Sequence, residues 1–167
     1  KRRLMIARGL INDPRILLLD EPTTGLDPQA RHVLWDRLFR LKERGTTLVL
    51  TTHYMDEAEQ LCDRLVVVDK GRIMAEGTPA SLIRQHSSRE VLEVRFGSDR
   101  NEQIAPRLQG AGDRVEVLPD RILVYTAEGE ATLEEITAQG LEPLTSLVRR
   151  SSLEDVFLRL TGRSLIE

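Results

Sequence analysis

Two adjacent carboxylates follow a short apolar run in this sequence. Residues 15–20 read Arg-Ile-Leu-Leu-Leu-Asp, and Glu21 and Pro22 come next. An unbroken apolar run of this length, bounded by prolines, is typical of a strand buried on both faces of a parallel sheet. Ligands of open α/β sheets bind at the carboxyl ends of their strands. Asp20 and Glu21 are therefore expected at a binding edge.

The two carboxylates could support phosphoryl transfer. An aspartate supplies the hard oxygen that Mg²⁺ prefers, while the ion keeps several waters. A glutamate can polarise the water that attacks a terminal phosphorus. Taken alone, however, the pair could also be two solvated acids at the end of a strand.

Two more motifs follow in a fixed order. Thr-Thr-Gly-Leu-Asp-Pro occupies 23–28, and Thr-Thr-His occupies 51–53 at the end of the next apolar run. With LLLDEP before them and YMDEAEQLCDRLVVVDKGRIMAEGTP after them, these motifs resemble the ATP-binding subunits of ABC transporters. In that family they are the Walker B motif, the D-loop and the H-loop, and the resemblance covers residues 1–86.

The resemblance implies a role for each residue at this edge. Asp20 matches the family's Mg²⁺-associated aspartate, which acts through water. Glu21 matches its catalytic glutamate, and His53 matches the switch histidine that touches the γ-phosphate. ATP and Mg²⁺ are thus the implied cofactors, and ATP hydrolysis is the implied reaction.

The D-loop implies a partner. Gly25, Leu26 and Asp27 match the family's loop that contacts the opposite subunit of an ATP-sandwich dimer, either a second copy or a homologue. The family's ATPase subunits also work with an integral membrane permease.

Other family motifs are absent from these residues. The sequence holds no G-x-x-x-x-G-K-[ST] Walker A loop, no Q-loop and no Leu-Ser-Gly-Gly signature, although residues 1–4 resemble those just after that signature. We therefore interpret the chain as part of a longer protein that binds ATP weakly, or not at all, by itself. The resemblance also implies a missing strand between 46–52 and 64–69, which would leave unpaired backbone groups on both sides.

Apolar periodicity predicts an α/β fold in two domains. Residues 1–86 are assigned to a partial ABC ATPase core with the parallel sheet of a P-loop NTPase. Predicted strands there are 15–20, 46–52, 64–69 and 72–76; predicted helices are 2–12, one from Pro28 to Gly45 with Asp27 as its N-cap, 56–63 and 78–85. The strand 64–69 is expected to be buried.

Residues 87–167 are predicted to form a small ferredoxin-like domain, because strands and helices follow in the order β-α-β-β-α-β. The predicted strands are 91–96, 115–118, 122–125 and 141–148; the predicted helices are 104–108, 132–138 and 153–160. Their alternating pattern suggests a sheet with one wet face.

The C-terminal region resembles the extension found in drug, nodulation-factor and polysaccharide exporter ATPases of the ABC-2 type, mainly in residues 152–162. Val156, Phe157 and Leu160 form an apolar stripe that could pack on its own sheet, on the ATPase core or on a second subunit. Arg149 and Arg150 are predicted to be a solvated pair.

Composition and charge argue against several other kinds of protein. The net charge of −3 is spread without a basic block, which argues against nucleic-acid binding, and no apolar run reaches the roughly 18 residues of a membrane span. His32, His53 and His86 lack zinc-ligand spacing. The resemblance implies a peripheral ATPase subunit of an exporter at the cytoplasmic face of a membrane, and the lack of an apolar span in the sequence fits a peripheral subunit. The alternatives are a soluble ABC ATPase without a transport role and a non-catalytic C-terminal interaction module.

Overall fold

The computed structural model describes residues 2–97 and 100–162, and it divides the chain into two compact units between Asp63 and Arg64. The division falls earlier than the predicted boundary at 86/87, because the hairpin and helix at 65–86 pack with the C-terminal elements. The assignment of 1–86 to an ATPase core rests on sequence and stays a prediction.

The first unit is a parallel β-α-β arrangement with two flanking helices. Its elements are α1 (Arg2–Gly9), β1 (Ile16–Asp20), α2 (Pro28–Glu43), β2 (Thr47–Thr51) and α3 (Met55–Leu61). β1 and β2 pair in parallel from Ile16 with Thr47 to Asp20 with Thr51, so their carboxyl ends lie level. The first helix ends at Gly9, before the predicted limit at residue 12.

One face of β1 builds the core of this unit. Leu17 and Leu19 cluster with buried residues of α2 and α3, and residues of α1 pack against the same cluster. Leu18 and Val49 point the other way and are 73% and 51% exposed. The prediction of burial on both faces is therefore wrong. The apolar run was a misleading signal because, within 2–63, the described helices cover one face.

The start of α2 follows the predicted chemistry. Asp27 is the N-cap, its Oδ1 accepts a hydrogen bond from the Ala30 amide at 2.8 Å, and Pro28 takes the first helical position. On α2, Val33 is exposed, whereas Leu34, Trp35 and Leu38 are buried. The helix therefore turns its aromatic residue toward α3.

The second unit begins with a hairpin and ends with a helix. Its elements are β3 (Leu65–Asp69), β4 (Arg72–Gly77), α4 (Pro79–His86), β5 (Glu90–Arg95), α5 (Asn101–Leu108), β6 (Arg114–Val117), β7 (Ile122–Thr126), α6 (Gly129–Ala138), β8 (Thr145–Arg150) and α7 (Leu153–Thr161). β3 and β4 pair with each other in antiparallel fashion through a turn at Lys70 and Gly71, both with positive φ. Val66 and Val68 are exposed, so the prediction that β3 is a buried strand is wrong. The predicted slot beside β2 would involve strands of different units, and it stays a prediction.

The four-stranded sheet confirms the ferredoxin-like prediction and, with the parallel first unit, the mixed α/β class. Its order is β6-β7-β5-β8 with every pair antiparallel, which is the pairing of a β-α-β-β-α-β sandwich. The inner face packs Leu92, Val94, Ile122 and Val124 against residues of α5 and α6.

The second face of this sheet is not wet at its centre, contrary to the sequence prediction. Val91, Leu123 and Tyr125 of the two central strands are buried there. α7 reaches this face through Asp155, and it also contacts α4 and β4. α4 and β4 lie in the segment assigned by sequence to the ATPase core, and packing of the α7 stripe on a second subunit stays a prediction.

The prediction that Arg149 is solvated is wrong. Its guanidinium contacts Glu93 Oε1 at 2.7 Å and both oxygens of Asp155 at 2.8 and 3.0 Å. Strand pairing causes this, because β5 and β8 bring Glu93 and Arg149 onto the same face two positions apart. No described helix is long and apolar enough to cross a bilayer.

Candidate functional site

The carboxyl ends of β1 and β2 meet at one edge of the first unit. Asp20 faces Thr51 in the register, and its Oδ1 accepts a short hydrogen bond from the Thr51 hydroxyl. The Glu21 amide donates to the Thr51 carbonyl at 3.0 Å. The ladder thus extends one residue past β1 and fixes where Glu21 leaves the strand.

Glu21 has a left-handed backbone, with φ of +49°. This conformation is uncommon for a residue with a side chain, and a following proline restricts it further. The turn is held by the Thr24 amide, which donates to the Glu21 carbonyl at 3.3 Å. A strained carboxylate at a strand end favours a functional role over a merely solvated one.

The Glu21 carboxylate contacts two side chains from different loops. Thr24 Oγ1 donates to Oε2 at 2.9 Å, and His53 Nδ1 lies 2.6 Å from the same oxygen. The His53 side chain is 59% exposed and that of Glu21 is 32% exposed. The structure therefore brings Glu21 and His53 into direct contact at an edge that solvent and a ligand can reach.

These contacts change the acidity of Glu21. Desolvation acts to raise its pKa, but the hydrogen bonds from His53 and Thr24, together with the charge of His53, outweigh desolvation and leave the pKa lowered. The carboxylate is therefore ionised near neutral pH, which is the form that can accept a proton from water.

The D-loop residues lie beside this edge with separate local roles. Gly25 has a φ of +76° and open space where a Cβ would stand. Leu26 packs against the core of the unit, and Asp27 caps α2. The predicted contact of these three residues with a second subunit stays a prediction.

The structure adds residues that sequence reasoning did not single out. Thr24 bonds Glu21, Thr51 bonds Asp20, and the Tyr54 ring stacks on that of His53 with centroids 4.2 Å apart. The sequence does point to the two threonines, because Thr24 lies in the D-loop motif and Thr51 in the H-loop motif. For Tyr54 the sequence carries no comparable signal.

The chemistry of these side chains fits Mg²⁺ only in part. Across 2–97 and 100–162 no group of three or more His, Cys, Asp or Glu residues is arranged to hold a metal. Mg²⁺ commonly binds through one or two carboxylates, waters and substrate phosphates. Asp20 is exposed beside the Thr51 hydroxyl and would suit that role, with the phosphates supplied by the nucleotide.

Comparison with known proteins agrees with the resemblance that the motifs carry: the chain is similar to ATP-binding proteins of export systems. Residues 100–162 match a family model described as the C-terminal domain of nodulation factor export protein NodI. Residues 3–55 match a model described as an AAA domain, putative AbiEii toxin, Type IV TA system.

Individual relatives give a more specific similarity. The chain is 51% identical over 168 residues to Nod factor export ATP-binding protein I of a Rhizobium species, strain N33, covering 99% of this chain and 53% of that protein. It is 47% identical over 167 residues to the protein of the same name from Mesorhizobium japonicum, covering 100% of this chain and 48% of that protein. The chain therefore spans about half the length of the curated relatives it matches.

Solved structures give partial overlaps. An ATP-binding subunit of an ABC transporter is 40% identical, with a TM-score of 0.39 over 43% of this chain and 30% of that chain. An ABC transporter cassette in its ADP conformation is 29% identical, with a TM-score of 0.46 over 51% of this chain and 34% of that chain. Both TM-scores are below 0.5, so the fold assignment rests on strand order and connectivity.

Proposed function

We propose that this chain is the C-terminal half of the ATP-hydrolysing subunit of an ABC-type exporter. The observation that carries the proposal is the Glu21 carboxylate, held by Thr24 and His53 at the carboxyl ends of two parallel strands. An ionised carboxylate in a fixed orientation can accept a proton from an attacking water. The names of the relatives include the word export. We propose export as the process that this chain takes part in, and we do not propose the same cargo.

Each residue has a role in the proposed reaction. Glu21 orients and polarises the attacking water. Asp20 would hold Mg²⁺ through water, and a bound Mg²⁺ would supply positive charge beside the phosphates. His53 binds the γ-phosphate oxygens by hydrogen bonding and, through Glu21, links the two strand ends.

The proposal includes partners. A second ATPase subunit, the same or homologous, would contact the D-loop residues Gly25, Leu26 and Asp27 and complete each ATP site. An integral membrane permease subunit would carry the cargo, which places this subunit at the cytoplasmic face of the membrane. Hydrolysis would drive that partner through alternating access.

The proposal is tested by Mg²⁺-dependent ATP hydrolysis of the intact subunit. Asp20→Asn should lower the rate at least tenfold at limiting Mg²⁺ and raise the Mg²⁺ concentration needed for half-maximal rate. Asp36→Asn, an exposed aspartate on α2, should change neither value. An Asp20→Asn protein with the same rate and the same Mg²⁺ dependence would refute the proposed metal role.

We further propose that the 167 residues alone bind ATP weakly or not at all, because they contain no loop of backbone amides and lysine for the phosphates. Calorimetry of the isolated chain with Mg-ATP should show no saturation at micromolar nucleotide. Saturable micromolar binding would contradict this proposal without affecting the assignment of Glu21.

A further inference from the structure

A second set of contacts joins His53 to helix α2. The Tyr54 ring has its centroid 4.2 Å from that of His53, with the planes inclined at 37°. The Arg31 guanidinium carbon lies 4.3 Å from the same Tyr54 centroid. Neighbouring rings at 53 and 54 can meet by chain geometry alone, but Arg31 comes from a different helix. The cation–π contact is therefore a tertiary one that fixes the ring.

The Arg31 guanidinium has an acidic partner as well, and its backbone belongs to the first turns of α2. Its Nη1 contacts Asp56 Oδ2 at 3.2 Å, and its amide donates to the Asp27 carbonyl at 3.0 Å in the first turn of α2. The Arg31 side chain is only partly exposed. A planar guanidinium held in this way is a pre-organised support for an aromatic ring.

A hydrogen bond also joins α2 to α3, one turn further along α2 from Arg31. Trp35 Nε1 donates to Glu57 Oε1 at 3.1 Å, and Glu57 is fully buried. Tyr54 is held at its backbone as well, where its amide donates to Thr52 Oγ1 at 3.0 Å. These bonds hold α2 beside the start of α3, so that Arg31 and Tyr54 keep their contact.

We propose that Tyr54 and Arg31 are positioning residues that hold the His53 imidazole against Glu21 and couple it to the loop at 25–27. The inference rests on the proposed function for its catalytic meaning. The physical chain runs from Asp27, which caps α2, through Arg31 one turn later, to the Tyr54 ring and then to His53. A displacement of the loop at 25–27 is thereby communicated to the imidazole through packed side chains.

The first arm of the test measures the His53 contact directly in the 167-residue chain. The Nδ1 nitrogen shift of His53 at fixed pH reports its hydrogen bond with Glu21, and Glu21→Ala gives the reference value without that bond. Arg31→Gln and Tyr54→Leu should move the signal toward this reference. Arg40→Gln, on the exposed side of the same helix, should leave it in place.

Two conservative variants guard against a simple loss of folding. Tyr54→Phe keeps the ring and should keep the wild-type shift, whereas Arg31→Lys keeps only a point charge and should give an intermediate value. The proposal is overturned if Arg31→Gln and Tyr54→Leu, with native circular dichroism, retain the wild-type nitrogen shift.

The second arm uses ATP hydrolysis by the intact subunit. Tyr54→Leu should lower kcat about two- to fivefold, the change expected for one exposed cation–π contact, and leave KM for ATP unchanged. In a His53→Ala background the same substitution should have no further effect, because it acts through His53. An equal loss in both backgrounds would overturn the proposal.

The nitrogen-shift and hydrolysis measurements together distinguish failure of the positioning role from failure of the proposed function. If Glu21→Gln leaves hydrolysis intact while Arg31→Gln still moves the His53 signal, the proposed function fails and the positioning role stands. If Glu21→Gln abolishes hydrolysis and Arg31→Gln leaves the His53 nitrogen shift unchanged, the proposed function stands and the positioning role fails.

Discussion

His53 Nδ1 lies 2.6 Å from Glu21 Oε2, and this contact connects the residue that follows β1 with a residue just beyond β2. The contact exists because the parallel register sets Asp20 level with Thr51 and so brings both strand exits to one edge. Glu21 turns toward His53 through its left-handed backbone conformation. Strand pairing, a turn and a side-chain contact thus act together at this site.

Removing His53 should raise the pKa of Glu21. Burial acts to raise that pKa, and the His53 hydrogen bond and charge are the main opposing contributions, so His53→Ala removes part of what lowers it. Carboxyl carbon NMR of the chain as a function of pH measures the change. The exposed Glu43 at the end of α2 is the internal control. An unchanged or lower Glu21 pKa would show that the 2.6 Å contact does not persist in solution.

Asp155 should be the most sensitive carboxylate for stability in the second unit. It is 2% exposed, it accepts from the amide and hydroxyl of Ser152 at the start of α7, and it pairs with Arg149. Asp155→Asn should lower the free energy of unfolding by about 3 kcal/mol, because Arg149 then lacks its main counter-charge. Urea denaturation followed by circular dichroism measures this. Glu154→Gln, an exposed neighbour, should cost no more than about 0.5 kcal/mol.

The same residue predicts a pH dependence. Burial acts to raise the pKa of Asp155, but the hydrogen bonds and charge of Arg149 and Ser152 outweigh burial and lower it. A carboxyl group with a lowered folded pKa contributes stability above its unfolded pKa of about 3.9, and this is lost as pH falls through the folded value. The stability advantage of wild type over Asp155→Asn should therefore shrink below about pH 4. A constant difference down to pH 2 would contradict this account.

Asp27 should contribute to stability apart from any role between subunits. Its Oδ1 caps the Ala30 amide at 2.8 Å, so Asp27→Ala should cost about 1 kcal/mol. Asp27→Ser keeps a capping oxygen and should recover most of that loss. Thermal unfolding of the monomeric chain measures both variants. If Ser and Ala destabilise equally, the capping bond is not what stabilises this helix start.

The sequence was most informative where local rules decide the structure. Asp27-Pro28 marked the start of α2, and the β-α-β-β-α-β order was enough to predict the ferredoxin-like sheet. Adjacent motifs also located Asp20, Glu21 and His53 at one edge, as the structure does.

Tertiary contacts were less accessible from the sequence. Leu18 looks like a core residue, but its exposure depends on which face the helices cover. Arg149 looks solvated, but it meets Glu93 and Asp155 because of the β5–β8 register and the docking of α7. The Arg31–Tyr54 contact joins α2 to the residue just before α3, so spacing along the chain does not reveal it.

The most direct test of the central claim is steady-state ATP hydrolysis by the intact subunit carrying Glu21→Gln. Glu21→Gln keeps the size of the side chain and removes its basicity, so ATP binding should persist while kcat falls by about 10²–10⁴-fold, the contribution of a general base. Glu43→Gln should hydrolyse ATP at the wild-type rate. Near-normal turnover by Glu21→Gln would contradict the assignment of Glu21 as the residue that activates water.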